Sequence, residues 1–264
     1  MTREDPDFLD AVEKAMRVIQ AFSATDPALR ITRVAELTGL TRATARRLLL
    51  TFERLGFVES NDGLFRLTPR VLRIGYSYLS SLPFAEHIQG ELRSLAEEFN
   101  ESCSAATLDG EEIVYVARVP AKRSMTITLA VGSRLPAYPT SMGRVLLAGL
   151  SDEALEEYFS RATIQQLTAQ TVTNRERLRA IIAETQSNGF AIVDGEREEG
   201  VRSAAAPIRA STGQVLAAIN ISVNAARVPL EYLQESIVPR LKATAAEISR
   251  NIDPISLQRY PYKA

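Results

Sequence analysis

The sequence predicts an α+β protein with a small helical domain first, a larger mixed domain after it and one helix between them. Three observations predict this organisation. Apolar residues recur at helical spacing over roughly the first 80 positions, interrupted by turn residues. Pro83 then follows an apolar helix and marks a boundary. Beyond it, short strand patterns joined by glycine-containing turns lie between helices, as in an antiparallel sheet covered by helices.

The composition argues against a membrane-spanning, secreted, disulfide-bonded or zinc-binding protein. The 264 residues carry a net charge of −1 and are 45% hydrophobic, which is typical of a globular chain. No apolar run reaches the roughly 18 residues that cross a bilayer, and the first residues are too acidic for a signal peptide, so we expect a cytoplasmic protein. One cysteine, Cys103, and one histidine, His87, allow neither an internal disulfide nor a zinc cluster. We therefore expect no cofactor, no metal and no catalytic residue.

Two helices are predicted to open the first domain. The first spans residues 9–22, where apolar residues recur at helical spacing. The second follows Thr32, a predicted N-cap, and Val34 and Leu37 are expected to face the core. Gly39 is expected to end this helix, because glycine readily adopts the left-handed conformation that closes many helices.

A third helix is predicted from its cap at Thr41 to about Leu55, before Gly56. Rotating successive residues by about 100° separates two faces of this helix. The face expected to pack inward carries Ala45, Leu48, Leu49, Phe52 and Leu55. The face expected to point outward carries Ala43, Arg47 and Leu50, flanked by Thr44 and Arg46.

A β-hairpin and a further helix are predicted next. The hairpin covers residues 57–68, with Asp62 and Gly63 at a turn that requires positive φ. Thr68 is the predicted N-cap of a helix over 69–82, which begins with a proline. Its apolar residues lie on two adjacent faces, so we expect this linker helix to contact a second copy of the chain. The predicted domains are 1–68, 69–82 and 83–264.

The larger domain is predicted to alternate helices with strands. Helices are predicted near 84–99, 141–149, 152–160, 175–187 and 229–250. Strands are predicted at 103–108, 112–118, 125–131, 190–193, 203–209 and 215–223. Glycine-containing pairs at 109–110 and 212–213 predict hairpin turns, so the sheet should be mainly antiparallel.

The order helix, helix, glycine turn, helix and β-hairpin is typical of a winged helix-turn-helix, which binds DNA. Between residues 30 and 73, nine arginines stand against four acidic residues in a chain whose remainder is acidic. A small alanine permits close approach to base edges, and the fork of Arg47 can pair with guanine, while Arg42 and Arg66 are expected to hold phosphates. The predicted DNA-binding residues are Thr41, Arg42, Ala43, Thr44, Arg46, Arg47 and Arg66.

Polar residues on an apolar strand indicate a candidate cavity in the larger domain. Asn220 and Ser222 alternate with aliphatic residues and therefore share one face of their strand. Such a face either lines a cavity or meets solvent, and the residues alone leave both possibilities open. The helix that begins near Ser141 has an N-terminus that can hold a carboxylate.

Four segments resemble the IclR family of transcription regulators, and the resemblance extends from Asp10 to about Ser249. The segments are 41–49 (TRATARRLL), 65–75 (FRLTPRVLRIG), 135–148 (LPAYPTSMGRVLLA) and 194–208 (DGEREEGVRSAAAPI). The resemblance implies a profilin-like, GAF-like sensing domain, homodimers that often pair into tetramers, and an organic-acid or aromatic effector. The finer pattern is similar to the branch that controls protocatechuate and β-ketoadipate catabolism.

The resemblance also implies where the effector binds. By motif, its contact positions are Leu135, Ser141, Met142, Asp194, Val201, Ser203, Asn220 and Ser222. Some relatives carry cysteine in place of Ser203 and serine in place of Asn220. Candidate counter-charges for an acid are Arg118, Arg134 and Arg202, and the acidic segment 194–199 is expected to form an exposed loop beside the cavity.

Two other functions remain open on the sequence alone. An enzyme that acts on a small organic acid, with a protein-binding head, is opposed by the single histidine and by the absence of phosphate-loop or dinucleotide glycine motifs. An adaptor that uses the winged head for protein contact requires no DNA binding. In that case the basic third helix is an ordinary solvated face.

Overall fold

The computed structural model describes residues 7–121 and 129–252, and the chain divides into two compact units, 1–80 and 81–264. The helices are α1 (Asp10–Gln20), α2 (Ile31–Thr38), α3 (Arg42–Arg54), α4 (Leu72–Ser81), α5 (Ala85–Phe99), α6 (Ser141–Leu147), α7 (Asp152–Arg161), α8 (Arg175–Asn188), α9 (Leu230–Tyr232) and α10 (Val238–Arg250). The strands are β1 (Ala28–Leu29), β2 (Val58–Asn61), β3 (Leu64–Leu67), β4 (Ser102–Asp109), β5 (Glu112–Val119), β6 (Arg134–Pro136), β7 (Ala191–Asp194), β8 (Val201–Arg209) and β9 (Val215–Asn224).

The first unit packs three helices and a small sheet around one core. Its buried residues include Val18, Val34, Ala45, Leu49 and Phe65. Gly39, with φ of 66°, ends α2 as predicted. Thr41 caps α3, because its side chain accepts a hydrogen bond from the backbone N–H of Thr44.

The start and the buried face of α2 differ from the prediction. Arg30 occupies the N-cap position without a side-chain cap hydrogen bond, so the N-cap predicted at Thr32 is wrong. Leu37 is exposed, because this two-turn helix buries the narrow face that carries Val34, Ala35 and Thr38.

Two leucines of the third helix also differ from the prediction. Leu55 is exposed because α3 ends at Arg54, one residue before it. Leu50, predicted to point outward, is partly buried against the core, since α3 packs on β2 as well as on α1 and α2. A helix enclosed on three sides has a wider apolar face than one that packs on two helices.

The predicted hairpin forms a wing that contains a third strand. Asp62 and Gly63 have φ of 50° and 75°, which is the positive range that a two-residue turn between β2 and β3 requires. β1 pairs with β3 on its other side, giving the strand order β1-β3-β2. The sequence did not predict β1, because two residues are too short to show alternation.

The linker helix begins as predicted. Thr68 accepts a hydrogen bond from the backbone N–H of Arg70, and a 3-10 turn at Pro69–Val71 leads into α4. On α4, Leu72, Ile74 and Tyr76 are 69%, 60% and 71% exposed. These large apolar side chains are uncovered in a single chain.

The second unit is a six-stranded antiparallel sheet with helices packed on it. The strand order is β6-β5-β4-β9-β8-β7, and α6 packs on β8 and β9. A π-helical segment, Leu233–Ile237, joins α9 to α10, which packs on β8. Gly143 allows α6 to approach Ala137 closely, since a Cβ at this glycine would lie 2.0 Å from the carbonyl oxygen of Ala137.

One predicted strand of this sheet is displaced. Of the predicted strand 125–131, residues 125–128 lie outside the described residues, and 129–131 are not in a strand. The edge strand that pairs with β5 is instead β6, three residues that end in a proline and leave no period-two pattern in the sequence. Among the described residues, no helix is both long and apolar enough to cross a membrane.

Candidate nucleic-acid interface and ligand cavity

The third helix presents an exposed basic surface. Its first turn is fixed by the Thr41 cap, whose hydroxyl also lies 2.9 Å from that of Thr44. Arg42, Arg46 and Arg47 are exposed, and none of their side chains pairs with a carboxylate in the part of the chain that the structure describes. The remaining two predicted DNA contacts are also exposed, Ala43 on α3 and Arg66 on β3.

This arrangement suits a polyanion. A guanidinium without a carboxylate partner breaks no ion pair when it binds a phosphate, so the exchange costs little free energy. Each such contact also releases condensed counterions from DNA. Three arginines on the first two turns of a capped helix, without carboxylate partners among the described residues, thus provide both charge and geometry for a groove.

A cavity of about 620 Å³ lies in the second unit. Seven of the eight predicted effector-contact residues line it: Leu135, Ser141, Met142, Val201, Ser203, Asn220 and Ser222. The structure places the eighth, Asp194, outside this lining, where its carboxylate lies 2.6 Å from the guanidinium of Arg202. The volume is in the range of sites for small organic ligands.

Polar residues that line the cavity stand, together with the buried Ser104, in rows across the sheet. In one row, Arg118 on β5, Ser104 on β4 and Asn220 on β9 are direct partners. In the neighbouring row, Ser102 and Ser222 are partners on β4 and β9. Because direct partners point to the same face of a sheet, the rows place their side chains together.

Hydroxyl and amide groups connect these rows to α6. The hydroxyl of Ser141 at the start of α6 lies 2.9 Å from that of Ser203 on β8. The side-chain N–H of Asn220 donates to the Ser222 hydroxyl at 3.1 Å. The other atom of this amide, Asn220 Oδ1, is buried and has no hydrogen-bond partner among the described residues.

Three arginines line the cavity, and two of them are already paired. Arg197 lies 3.2 Å from Glu198, and Arg227 lies 2.6 Å from the buried Glu101. Burial raises the pKa of the Glu101 carboxyl, and the positive charge of Arg227 opposes that rise. The third arginine, Arg118, donates to the Ser104 hydroxyl at 3.1 Å.

The other two candidate counter-charges lie elsewhere. Arg134 is exposed and pairs with Asp109 and Glu112, both at 2.7 Å. The guanidinium of Arg202 is occupied by Asp194 and by the carbonyl oxygen of Val228. Neither arginine lines the cavity, so of the three candidates only Arg118 does.

A buried ion pair supports one wall of the cavity. Arg144 on α6 lies 2.7 Å from Glu196, and both side chains are less than a tenth exposed. Glu196 also accepts from the backbone N–H of Val172, and its own carbonyl oxygen accepts from the hydroxyls of Thr168 and Thr171. The loop that continues into Arg197 and Glu198 is thereby fixed at its first residues.

Sequence reasoning missed this pair. The sequence predicts an exposed acidic loop over residues 194–199, but Glu196 is buried, so the prediction is wrong at this residue. The two partners are 52 positions apart, so no local spacing connects them. The described residues contain no group of three or more His, Cys, Asp or Glu side chains placed to hold a metal ion.

Comparison with known proteins decides the family. The model of the IclR helix-turn-helix domain matches residues 11–62, and the model of the C-terminal domain of bacterial IclR transcriptional regulators matches residues 76–250. The chain belongs to the IclR family. It is a transcription regulator with an N-terminal DNA-binding domain, and its named relatives are regulators rather than enzymes. The two matched domains and the solved relatives confirm the predicted fold class.

Three relatives show how far this similarity extends. The Pca regulon regulatory protein of Pseudomonas putida is 39% identical over 249 residues, which cover 94% of this chain and 86% of that protein. A transcriptional regulator from Rhodococcus sp. RHA1 superposes with a TM-score of 0.82 at 47% identity, covering 93% of this chain and 98% of the other. The third is the inducer-binding domain of a PobR double mutant from Acinetobacter in complex with 3-hydroxybenzoic acid, with 30% identity, a TM-score of 0.58, and 61% and 94% coverage.

Proposed function

We propose that this regulator controls genes for aromatic-acid catabolism of the protocatechuate/β-ketoadipate type, with a small carboxylate in the cavity as its effector. The observation that carries the proposal is the lining of the cavity, where the polar Asn220, Ser222 and Arg118 share one face of the sheet and the apolar Met142 and Leu135 also line the cavity. The names of the relatives from Pseudomonas and Acinetobacter support the class of effector. Binding is expected to change operator affinity or promoter activity without any reaction.

The proposed DNA contacts follow the exposed face of α3. Arg47 reads base edges in the major groove, and Arg42 and Arg66 hold phosphates. Thr41, Ala43, Thr44 and Arg46 complete the contact surface. We place the protein in the cytoplasm, where a bacterial regulator meets its operator.

We also propose that two copies pair through α4. The exposed apolar residues of α4 are unusual for a helix that meets only solvent, and covering them with a second copy removes this surface from water. A two-fold dimer presents two α3 helices, so the operator should be a palindrome or a close repeat. A dimer of such dimers is the larger assembly that we expect.

Sedimentation of the full chain tests this assembly. Replacing Leu72 and Tyr76 by Asp is expected to weaken dimerisation and operator affinity together. Leu167→Asp, at an exposed leucine of the second unit, is the matched control and should change neither. A wild-type monomer that binds the operator at full affinity would exclude the proposed dimer.

The effector proposal is tested by calorimetry with a panel of aromatic acids and dicarboxylates. We expect micromolar affinity, about −8 kcal/mol, for at least one of them. Ser222→Val deletes a hydroxyl of the cavity and should weaken binding by about 1–3 kcal/mol while leaving DNA binding intact. If no acid binds, or if neither Ser222→Val nor Ser141→Ala changes the affinity, the effector does not bind in this cavity.

A further inference from the structure

The end of the third helix needs hydrogen-bond donors from elsewhere in the chain. Gly56, which follows α3, has φ of 77°, and the backbone N–H of Phe57 donates to the carbonyl oxygen of Phe52 at 2.9 Å. This is the Schellman closure of a helix, and it satisfies carbonyl oxygens of the last turn. The carbonyl oxygens of Leu55 and Gly56 come after that turn and require other donors.

The start of the linker supplies those donors. The guanidinium of Arg70 donates to the carbonyl oxygen of Leu55, and the hydroxyl of Thr68 donates to the carbonyl oxygen of Gly56 at 2.6 Å. The backbone N–H of Thr68 donates to the carbonyl oxygen of Phe57 at 2.9 Å. These three hydrogen bonds, which connect residues 68–70 to residues 55–57, form the linker joint.

Gly56 leaves the space that the guanidinium of the linker joint occupies. A Cβ at this position would lie 2.8 Å from Nη1 of Arg70 and 3.1 Å from its Cζ. Gly39 ends α2 with a similar φ of 66°, but a Cβ there would meet nothing within 4 Å among the described residues. The positive charge of Arg70 therefore lies against the C-terminal end of α3, where the partial negative charge of a helix favours a cation.

Core packing contributes little to the direction of α4. All ten residues of this helix are described, and none of them is buried in a single chain. Large apolar side chains such as Leu72, Ile74 and Tyr76 are exposed instead. The angle between α3 and α4 therefore depends on the hydrogen bonds of the linker joint.

This angle matters because the residues proposed to read DNA lie at the other end of α3. The helix has 13 residues and is about 20 Å long. A rotation of about 10° at the linker joint thus moves the start of α3 by roughly 3 Å, which is close to the rise of about 3.4 Å per base pair. In a dimer that pairs through α4, such a movement changes the distance between the two α3 helices.

From the linker joint we infer that Arg70 is a positioning residue for DNA binding. It fixes the angle between α3 and α4, and it thereby selects the distance between the two half-sites of the operator. Arg70 acts through α3 and not through a contact with DNA. The inference rests on the proposed pairing of two copies through α4.

Operator fragments of altered spacing test this role on the full chain by fluorescence anisotropy. The fragment that the wild-type protein enriches from genomic DNA is compared with versions that have one or two base pairs inserted or removed between the half-sites, and with an isolated half-site. Each inserted base pair turns the second half-site by about 34° around the DNA axis, so the wild type should bind the altered fragments at least about tenfold more weakly.

The variant Arg70→Met should lose most of this preference. Its loosened joint lowers the effective concentration of the second α3 at the natural spacing, so affinity for the unaltered fragment should fall about tenfold. Affinity for the isolated half-site should stay within about twofold of the wild type, and the unaltered fragment should be preferred over the altered ones by about threefold or less. Because Arg70 is exposed, the variant should unfold within about 3 °C of the wild type.

Three further variants serve as controls and as a second route. Arg73→Met removes an exposed positive charge three positions along the linker and should leave the spacing preference unchanged. Thr68→Val removes the other side-chain bond of the linker joint and should weaken the preference as Arg70→Met does. Thr68→Ser keeps the hydroxyl and should behave as the wild type. If Arg70→Met does not fold, the two variants of Thr68 still decide the role of the joint.

The outcomes separate this inference from the proposed dimer. If the operator has a single half-site, or if the wild type binds every spacing equally, both the dimer and the role of Arg70 are wrong. If the wild type is selective and Arg70→Met is equally selective, the dimer stands and the inference is wrong. If Arg70→Met loses the same factor on every fragment, with the isolated half-site and random duplex included, Arg70 contacts a phosphate and the inference is again wrong.

Discussion

The third helix of the first unit and the neighbourhood of the cavity in the second unit hold their arginines in opposite ways. On α3, Arg42, Arg46 and Arg47 are exposed and unpaired within the described residues. In the second unit, Arg144 pairs with Glu196 and Arg227 pairs with Glu101, and both of these carboxylates are buried. A surface that binds a polyanion keeps its arginines exposed and without carboxylate partners. Around a cavity for a small molecule, most arginines are paired with carboxylates, and only an unpaired one is available to the ligand.

The largest effect is expected from breaking the buried pair. Arg144→Met leaves Glu196 buried without its cation and should lower the free energy of unfolding of the second unit by about 3–5 kcal/mol. Adding Glu196→Leu to it should restore part of the loss, because no charge is then left unpaired. Thermal or denaturant unfolding measures both variants.

An exposed pair provides the matched control for that prediction. Arg179 lies 2.7 Å from Glu156 in the same unit, but both groups meet solvent. Arg179 also lies 4.4 Å from the centroid of the Phe159 ring, so Arg179→Met should cost about 1 kcal/mol, well below the loss at the buried pair. If Arg144→Met and Arg179→Met lower the free energy of unfolding equally, the proposed difference between buried and exposed ion pairs is wrong.

A slightly smaller effect is expected from crowding α6. Gly143→Ala places a Cβ against the backbone of Ala137, which cannot move aside as a flexible side chain can. The loss should be about 3 kcal/mol, with weaker effector binding because Ser141 and Met142 move with the helix. Gly90→Ala in α5 meets nothing within 4 Å and should instead stabilise by up to about 1 kcal/mol.

These contrasts also show what the sequence can predict. The first unit follows from local signals, such as the Thr41 cap, the left-handed Gly39 and the Asp62-Gly63 turn, each confirmed at its position. Its errors at Leu37, Leu50 and Leu55 concern which side of a helix is covered and where the helix ends, and the error at Thr32 concerns where α2 begins. That depends on packing partners rather than on spacing.

The cavity is predictable only in part. The alternation of polar and apolar residues within one strand predicts Asn220 and Ser222 as candidate cavity residues. The family motifs predict the cavity residues on the other strands and on α6. Pairings such as Arg227 with Glu101 join residues 126 positions apart and leave no local pattern. Which arginine remains unmatched is therefore a property of the folded sheet.

On the DNA-binding side, Arg47→Ala should cost about 1–3 kcal/mol on the specific operator and far less on random duplex, because it removes a base contact. Arg42→Ala should weaken both kinds of DNA and flatten the dependence on salt, as loss of a phosphate contact does. Fluorescence anisotropy at several salt concentrations separates the two. The same loss on operator and random DNA for Arg47→Ala would remove its base-reading role.

The smallest effect is expected at the cap of α3. Thr41→Ala removes the acceptor for the backbone N–H of Thr44 and should destabilise the first unit by about 1 kcal/mol. Thr41→Ser keeps the acceptor and serves as the control. If both variants unfold at the temperature of the wild type, the cap does not stabilise this helix.

The most direct test of ligand-controlled DNA binding is the operator affinity of three proteins with and without 4-hydroxybenzoate. The operator fragment comes from genomic DNA enriched by the purified wild-type chain. The affinity of the wild type should change when 4-hydroxybenzoate is added. Arg118→Gln should bind the operator as the wild type does but respond at least tenfold less sensitively, and Arg47→Ala should lose operator affinity yet bind 4-hydroxybenzoate normally. A wild-type protein that binds 4-hydroxybenzoate with no change in operator binding or in promoter activity would contradict the account.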